Sequence, residues 1–331
     1  MNSEETLLQV KNLKKYFPLR RGFLSSILGG PELYVHAVDN ISFNIKKGEI
    51  FGLAGESGCG KTTTGRAILR LIEPTSGSVI FNGIDILKLN KEQLKPFRKR
   101  MQIIFQDPYE SLNPRMTVYD ILSEPLDIHK ITEDPNEKQE IIARALEEVE
   151  IIPPEDFMDR YPHELSGGQR QRVAIARALI LKPEFIVADE PVSMLDVSIR
   201  AEVLNLMLKL RDEYKISYLF ITHDLAIGRH MSERMGIMYA GKIVEMAESE
   251  KLVNEPLHPY TQALMAAVPS PDPTAERIKL VIGGEVPNLV NPPPGCRFAP
   301  RCPKAMDICK KTDPIEIEIE KDRFVACYLY A

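Results

Sequence analysis

The run Gly55-Glu56-Ser57-Gly58-Cys59-Gly60-Lys61-Thr62 carries residue types that handle phosphate. Glycines let successive backbone N–H groups turn inward around phosphate oxygens, and a helix beginning at Lys61 adds the partial positive charge of its N-terminus. Lys61 is placed to neutralise β and γ phosphates, the Thr62 hydroxyl to ligate Mg²⁺, and Thr63 follows in the same turn. A second set, Phe185-Ile186-Val187-Ala188-Asp189-Glu190, delivers two carboxylates at the end of an apolar run. Asp189 would hold Mg²⁺ through water, and Glu190 would orient or deprotonate an attacking water. An acidic pair after a strand is by itself most often a helix cap; downstream of a phosphate loop it reads as a metal-and-water pair. A third set, Leu165-Ser166-Gly167-Gly168-Gln169, is a second phosphate cradle, with Ser166 as cap and glycine N–H groups at a helix start. One γ-phosphate does not need two cradles. The second must serve the nucleotide of another subunit, which makes ATP the glue of a dimer.

These side chains need strands and helices behind them. Ile50 to Ala54 is a short apolar run entering the glycine-rich turn, and Lys61 to Leu71 has helical character. Phe185 to Ala188 and Tyr218 to Thr222 are further buried-strand runs, so the pattern predicts a parallel sheet with helices on its faces. Leu7 to Val10, Tyr34 to Phe43, Val79 to Phe81 and Ile84 to Ile86 predict an antiparallel sheet near the N-terminus. Asn82-Gly83 suits the type I′ turn of a hairpin within it. Between Tyr119 and Pro162, Ile141, Ile142, Ala145, Leu146 and Val149 recur at helical spacing, which predicts an inserted helical subdomain. Pro18 to Pro31 reads as an inserted surface loop. Beyond about residue 245, Pro256, Pro259, Pro269, Pro271, Pro273, Pro287 and Pro292-Pro293-Pro294 break any long helix and predict a loop-rich unit that needs a staple.

Composition narrows the class. The 331 residues are 44% hydrophobic and 27% charged, with 42 basic against 47 acidic side chains, so disorder is excluded and a nucleic-acid coat is disfavoured. No apolar run has the length of a membrane span, and Met1 to Gln9 lacks a signal-type apolar core, so an uncleaved cytosolic N-terminus is expected.

The pentapeptide Leu165 to Gln169, lying between the phosphate loop and the acidic pair, resembles the signature of the ATP-binding cassette family. The resemblance implies a P-loop NTPase: α/β, with a RecA-like parallel sheet core, an N-terminal antiparallel β subdomain, an inserted helical subdomain at about 108–165 and a small Cys-rich C-terminal domain. The cassette would occupy 1–245 and the extension 246–331. Gln106, after Ile103-Ile104-Phe105, resembles the Q-loop glutamine that senses Mg²⁺ and water. Ser193-Met194-Leu195-Asp196 resembles the D-loop, with Met194 where the family usually has Ala. His223 resembles the switch histidine at the γ-phosphate, and Phe17, with Tyr16 as the alternative, the aromatic that stacks on adenine.

Phe105-Gln106-Asp107-Pro108, Ser111-Leu112-Asn113-Pro114-Arg115 and His258-Pro259-Tyr260-Thr261 are similar to the oligopeptide/dipeptide importer branch, and Met101-Gln102-Ile103-Ile104 to its F-type ATPase. That branch implies a second ATPase subunit, as homodimer or D-type/F-type heterodimer, and two membrane permease subunits. An extracytoplasmic peptide-binding protein would act indirectly. It also implies a peripheral place on the cytoplasmic face of the cell membrane and no nucleic acid; soluble cassettes acting on DNA or ribosomes are the rival class.

Of the five cysteines, Cys59 sits in the phosphate loop, where a helix N-terminus would lower its pKa and make it easily alkylated. Cys296, Cys302, Cys309 and Cys327 crowd the tail. Disulfides do not suit a reducing cytosol. Structural Zn²⁺, although the close-spaced Cys knuckle is absent, and free thiols are the alternatives. A 4Fe–4S cluster accepts irregular spacing, and the tails of this importer branch favour it. Arg297, Arg301, Lys304, Lys310 and Lys311 would then offset its charge, or simply be solvated.

Overall fold

The computed structural model describes residues 5–19, 32–267 and 287–331. Most of the loop expected at Pro18–Pro31 therefore lies outside the described residues. In chain order come β1 (Thr6–Pro18), β2 (Tyr34–Lys46), β3 (Ile50–Ala54), α1 (Lys61–Ile68), β4 (Ser76–Phe81) and β5 (Ile84–Asp85). Next are α2 (Lys91–Arg100), β6 (Met101–Ile104), α3 (Pro108–Ser111), α4 (Val118–Ile128), α5 (Pro135–Glu148), α6 (Glu155–Met158) and α7 (Gly167–Leu179). Then follow β7 (Phe185–Asp189), α8 (Val197–Tyr214), β8 (Ser217–Thr222), α9 (Leu225–Met231), β9 (Arg234–Tyr239) and β10 (Lys242–Glu248). The chain closes with α10 (Ser249–Asn254), α11 (Pro259–Ala267), β11 (Ile317–Glu320) and β12 (Arg323–Val325). Among the described residues, no helix is long and apolar enough to cross a membrane.

The described residues fall into two compact units. The first lies within Met1–Glu5, Lys46–Glu49 and Lys88–Phe220. In it β6 and β7 pair in parallel, Met101 opposite Phe185 and Ile104 opposite Ala188, with β8 on the other side of β7. β7 is buried along its whole length, as its unbroken apolar run requires of a strand covered on both faces. α4, α5 and α7 pack on one another. Their starts are set by local chemistry: Thr117 and Asp120 close a capping box on α4, and Asp134 caps α5 with Pro135 in its first turn. Ile142, Ala145 and Leu146 form the buried stripe of α5, where helical spacing placed them.

The second unit lies within Thr6–Ile45, Ile50–Leu87 and Ile221–Ala331. One of its sheets has the order β2-β1-β4-β5, with Leu8 opposite Phe81 and Val10 opposite Val79. β1 is longer than the Leu7–Val10 run suggested, because a bulge between Lys11 and Lys14 shifts the register and hides the alternation. Asn82 and Gly83 both have positive φ (47° and 79°), the conformation a type I′ turn demands. The following strand stops after Asp85, whose carboxylate accepts the Leu87 N–H at 3.2 Å and bends the chain into a 3₁₀ turn. The other strands of this unit run β11-β12-β10-β9-β3, with β3 and β9 parallel and the rest antiparallel.

The proline-rich tail is held differently from the staple its composition suggested. β12 extends the sheet beside β10, with Glu245 opposite Val325. Phe298 is 1% exposed and meets Tyr239 edge-on at 5.2 Å and Tyr260 at 5.4 Å between ring centroids. Leu225, Met235, Ile237, Val244 and Leu252 complete this core. Backbone pairing and aromatic burial supply what a covalent or metal crosslink would otherwise have to supply.

His258 lies in the same core. Burial pushes its imidazole down to about 4, and its Nδ1 accepts the Tyr260 N–H at 3.0 Å, which fixes the neutral tautomer. An unfolded histidine titrates near 6.5, so the folded value is the depressed one. Its stabilising contribution is complete above about pH 6.5 and is lost as pH falls toward 4. Glu245, which accepts the His258 backbone N–H, is pushed up by its own burial and acts with the opposite sign. Between pH 7 and pH 5, wild type is expected to lose roughly 2 kcal/mol more stability than His258→Asn, whose side-chain oxygen can replace the Nδ1 acceptor. Denaturant titrations at the two pH values check this; equal losses in both proteins contradict it.

Candidate nucleotide site

In the second unit the phosphate loop joins β3 to α1. Gly55 (φ 154°) and Gly60 (φ 109°) are required there: a Cβ would lie 2.1 Å from the Met238 carbonyl oxygen at the first and 2.1 Å from that of Ala37 at the second. Gly60 is the N-cap of α1, and neither a side-chain cap nor a first-turn acidic residue covers the helix start. That is the arrangement a bound phosphate would complete. Lys61 is buried and its Nζ donates to the carbonyls of Gly55 at 2.8 Å and Glu56 at 3.0 Å. Ser57, Gly58, Cys59, Thr62 and Thr63 follow the same turn into α1, where the Thr64 hydroxyl donates to the Gly60 carbonyl at 3.0 Å. His223 is exposed just after β8, ahead of α9, which Asp224 caps through the N–H groups of Ala226 and Ile227. Tyr16 is committed elsewhere: it donates to Asp39 at 2.5 Å and stacks on His36. Phe17 is 38% exposed, with Lys15 Nζ 4.7 Å from its ring centre.

The first unit brings another group together. Gln106, just beyond β6, donates from Nε2 to Glu190 Oε2 at 3.1 Å across a separation of 84 residues. Asp189 ends β7 buried, and Glu190 follows with φ 47°, a left-handed conformation uncommon for a side chain of this size. Both the N–H and the hydroxyl of Ser193 donate to the Glu190 carbonyl, at 3.2 and 3.0 Å, and hold that turn. Asp196 is the N-cap of α8, while the side chains of Met194 and Val197 on either side of Leu195-Asp196 are exposed. At the start of α7, Ser166 and Gln169 close a capping box, each accepting the other's N–H. Gly167 and Gly168 are the donors outside that exchange. A Cβ on Gly168 would lie 2.7 Å from Ile199, so the second glycine also lets α8 approach.

The ABC transporter family matches residues 38–193, and the family described as oligopeptide/dipeptide transporter, C-terminal region, matches 244–309. The oligopeptide transport ATP-binding protein AppF of Bacillus subtilis is 49% identical over 99% of both chains. This chain is an ABC ATPase of the oligopeptide/dipeptide branch. A putative peptide import ATP-binding protein of Brucella ovis is 48% identical over 98% of both chains. Among solved structures, the ATP-binding cassette MJ0796, in a dimeric post-hydrolysis state bound to ADP and Pi, superposes with a TM-score of 0.64 at 28% identity. It covers 73% of this chain and 99% of its own.

Two expectations about cysteine are corrected in this ABC ATPase. Among the described residues, no three His, Cys, Asp or Glu side chains come together so as to hold a metal. The tail cysteines Cys296, Cys302, Cys309 and Cys327 are therefore not a 4Fe–4S or Zn²⁺ ligand set. Burial pushes the Cys296 thiol up to about 11 and raises those of Cys302 and Cys327, favouring neutral thiols over the thiolates that bind metals. Cys296 and Cys302 instead pack against the Tyr239–Tyr260–Phe298 core. Cys59 is 5% exposed, and burial raises its pKa against the opposing pull of Lys61, so easy alkylation is not expected either.

Arg297 and Arg301 are neither solvated nor counterions of a cluster. Arg297 pairs with Asp39, and Arg301 with Glu56 of the phosphate loop. Tyr260 also contacts Glu56. Composition offered no signal for these contacts, since the partners lie 258, 245 and 204 residues apart.

Proposed function

We propose that this ABC ATPase powers import of di- or oligopeptides through a membrane permease by ATP-driven dimerisation, with the nucleotide held between the phosphate loop of one subunit and the signature of another. The observation that carries the reading is the end-to-end match to peptide transport ATP-binding proteins, including the segment 244–309. The dimeric ADP-bound neighbour supports the shared site.

Gly55 to Thr63 bind the phosphates, with Lys61 exchanging its loop carbonyls for phosphate oxygens, and Phe17 stacks on adenine. Ser166 to Gln169 and Asp196 act on the nucleotide of the second subunit. Glu190 takes the proton of the attacking water, Gln106 holds the Glu190 carboxylate in place, and His223 contacts the γ-phosphate. Thr62, Gln106 and Asp189 carry the hard oxygen donors that Mg²⁺ takes and would be the residues to hold it; the ion would then supply positive charge to offset the negative charge developing on the transferred phosphoryl group.

Residues 1–245 then form the cassette, with a helical subdomain at about 108–165 that faces the permease, and 246–331 the importer-specific extension. The partners are a second ATPase subunit, identical or D-type, two permease subunits and, indirectly, an extracytoplasmic peptide-binding protein. The chain sits peripherally on the cytoplasmic face. The acidic net charge of −5 argues against a nucleic-acid-dependent role. Peptide import by the reconstituted complex tests the reading: ATP-dependent import supports it, and hydrolysis stimulated by DNA or ribosomes but not by the permease contradicts it.

A further inference from the structure

The C-terminal segment grips the phosphate loop directly at Glu56, and at the loop's far end only by way of the Ala240-Gly241 turn. Arg301 forks onto the Glu56 carboxylate, Nη1 to Oε2 at 2.9 Å and Nη2 to Oε1 at 3.1 Å, and Nη1 also donates to the Tyr239 hydroxyl at 3.2 Å. The Arg301 side chain is 9% exposed and that of Glu56 28%, so the pair is partly sheltered from water and, being a two-point fork, is not a loose surface contact. The Tyr260 hydroxyl accepts the Glu56 backbone N–H at 3.0 Å. Residue 56 is thereby held by its side chain and its main chain at once. At the far end, Arg297 donates to the Ala240 carbonyl, and the neighbouring Gly241 N–H donates to the Cys59 carbonyl at 2.8 Å.

Between these anchors lies the glycine-containing turn, whose ordering costs backbone entropy each time a phosphate binds, unless the turn is already ordered. The Glu56 carbonyl is also one of the two oxygens that hold Lys61 Nζ. A displacement of Glu56 therefore moves the cation meant for the phosphates. We propose that Arg301, aided by Tyr260, is a positioning residue that presets the phosphate loop through Glu56, so that the C-terminal segment sets nucleotide affinity. This rests on the nucleotide site described above.

Calorimetric titration of the full chain with MgADP tests it, because no hydrolysis intervenes. Arg301→Ala and Glu56→Gln are each expected to weaken binding about tenfold, and the double variant no further, since both remove the same contact. Arg301→Lys, which keeps the charge but loses the fork, is expected to recover about a third of the lost affinity on a logarithmic scale. A purely structural ion pair would instead lower the melting temperature while leaving MgADP affinity alone. Wild-type affinity in Arg301→Ala, additive losses in the double variant, or no recovery with Lys overturns the proposal. If Arg301→Ala does not fold, Glu56→Gln decides it by the same criterion. Lys61→Ala serves as the separate control: unchanged MgADP binding there would refute the nucleotide site itself and not the grip.

Discussion

Glu190→Gln is expected to cut ATP hydrolysis by about 10²- to 10⁴-fold while MgATP still binds and holds two subunits together. The substitution keeps the shape of the side chain and the left-handed turn at residue 190, which rests on backbone contacts from Ser193. An amide oxygen can still accept from Gln106 Nε2, as the Glu190 carboxylate does at 3.1 Å. What disappears is the group able to take a proton from water. The phosphate loop and Lys61 are untouched, so binding survives and only turnover falls. Phosphate release and size-exclusion chromatography in MgATP read the two effects separately. Wild-type turnover would remove Glu190 from the role of general base.

Phe298→Ala is expected to destabilise the protein by about 3–5 kcal/mol, the range for truncating a fully buried phenylalanine. Its ring lies among Tyr239, Tyr260 and His258, with centroid distances of 5.2, 5.4 and 5.8 Å, and the cavity left behind would be walled by rings already fixed by other contacts. Tyr260 holds the Glu56 N–H and Tyr239 accepts from Arg301, so MgADP affinity should fall along with stability. Phe298→Leu, which refills most of the volume, is expected to cost less than about 1.5 kcal/mol. Chemical denaturation followed by circular dichroism checks both. A loss below about 1 kcal/mol in Phe298→Ala would show that the tail is an appendage and not part of the core.

Much of the nucleotide site is legible locally. The loop from Gly55 to Thr62 joins a strand to a helix, and the uninterrupted apolar run from Phe185 to Ala188 gives a strand buried throughout. The Asn82-Gly83 turn follows from φ preferences of those two residues alone. β1 was only half visible, because its bulge breaks the alternation on which strand recognition depends. The tail was least legible. Its prolines and cysteines suggested a unit closed on itself, yet Arg297, Arg301 and Phe298 make their contacts with Asp39, Glu56 and Tyr239, far back along the chain. Pairing over such separations leaves no local pattern. Burial then converts the cysteines from apparent ligands into packed thiols, a change that spacing alone cannot reveal.

The central claim, that ATP turnover at this site drives peptide import, is tested most directly by uptake of a labelled peptide into proteoliposomes. These would contain the permease, the second ATPase subunit and this chain, with the peptide-binding protein outside and MgATP inside. Uptake is expected with wild type and is expected to fall by about 10²-fold or more with Glu190→Gln, in step with phosphate release. ATP hydrolysis without peptide uptake, or equal uptake with either protein, would contradict it.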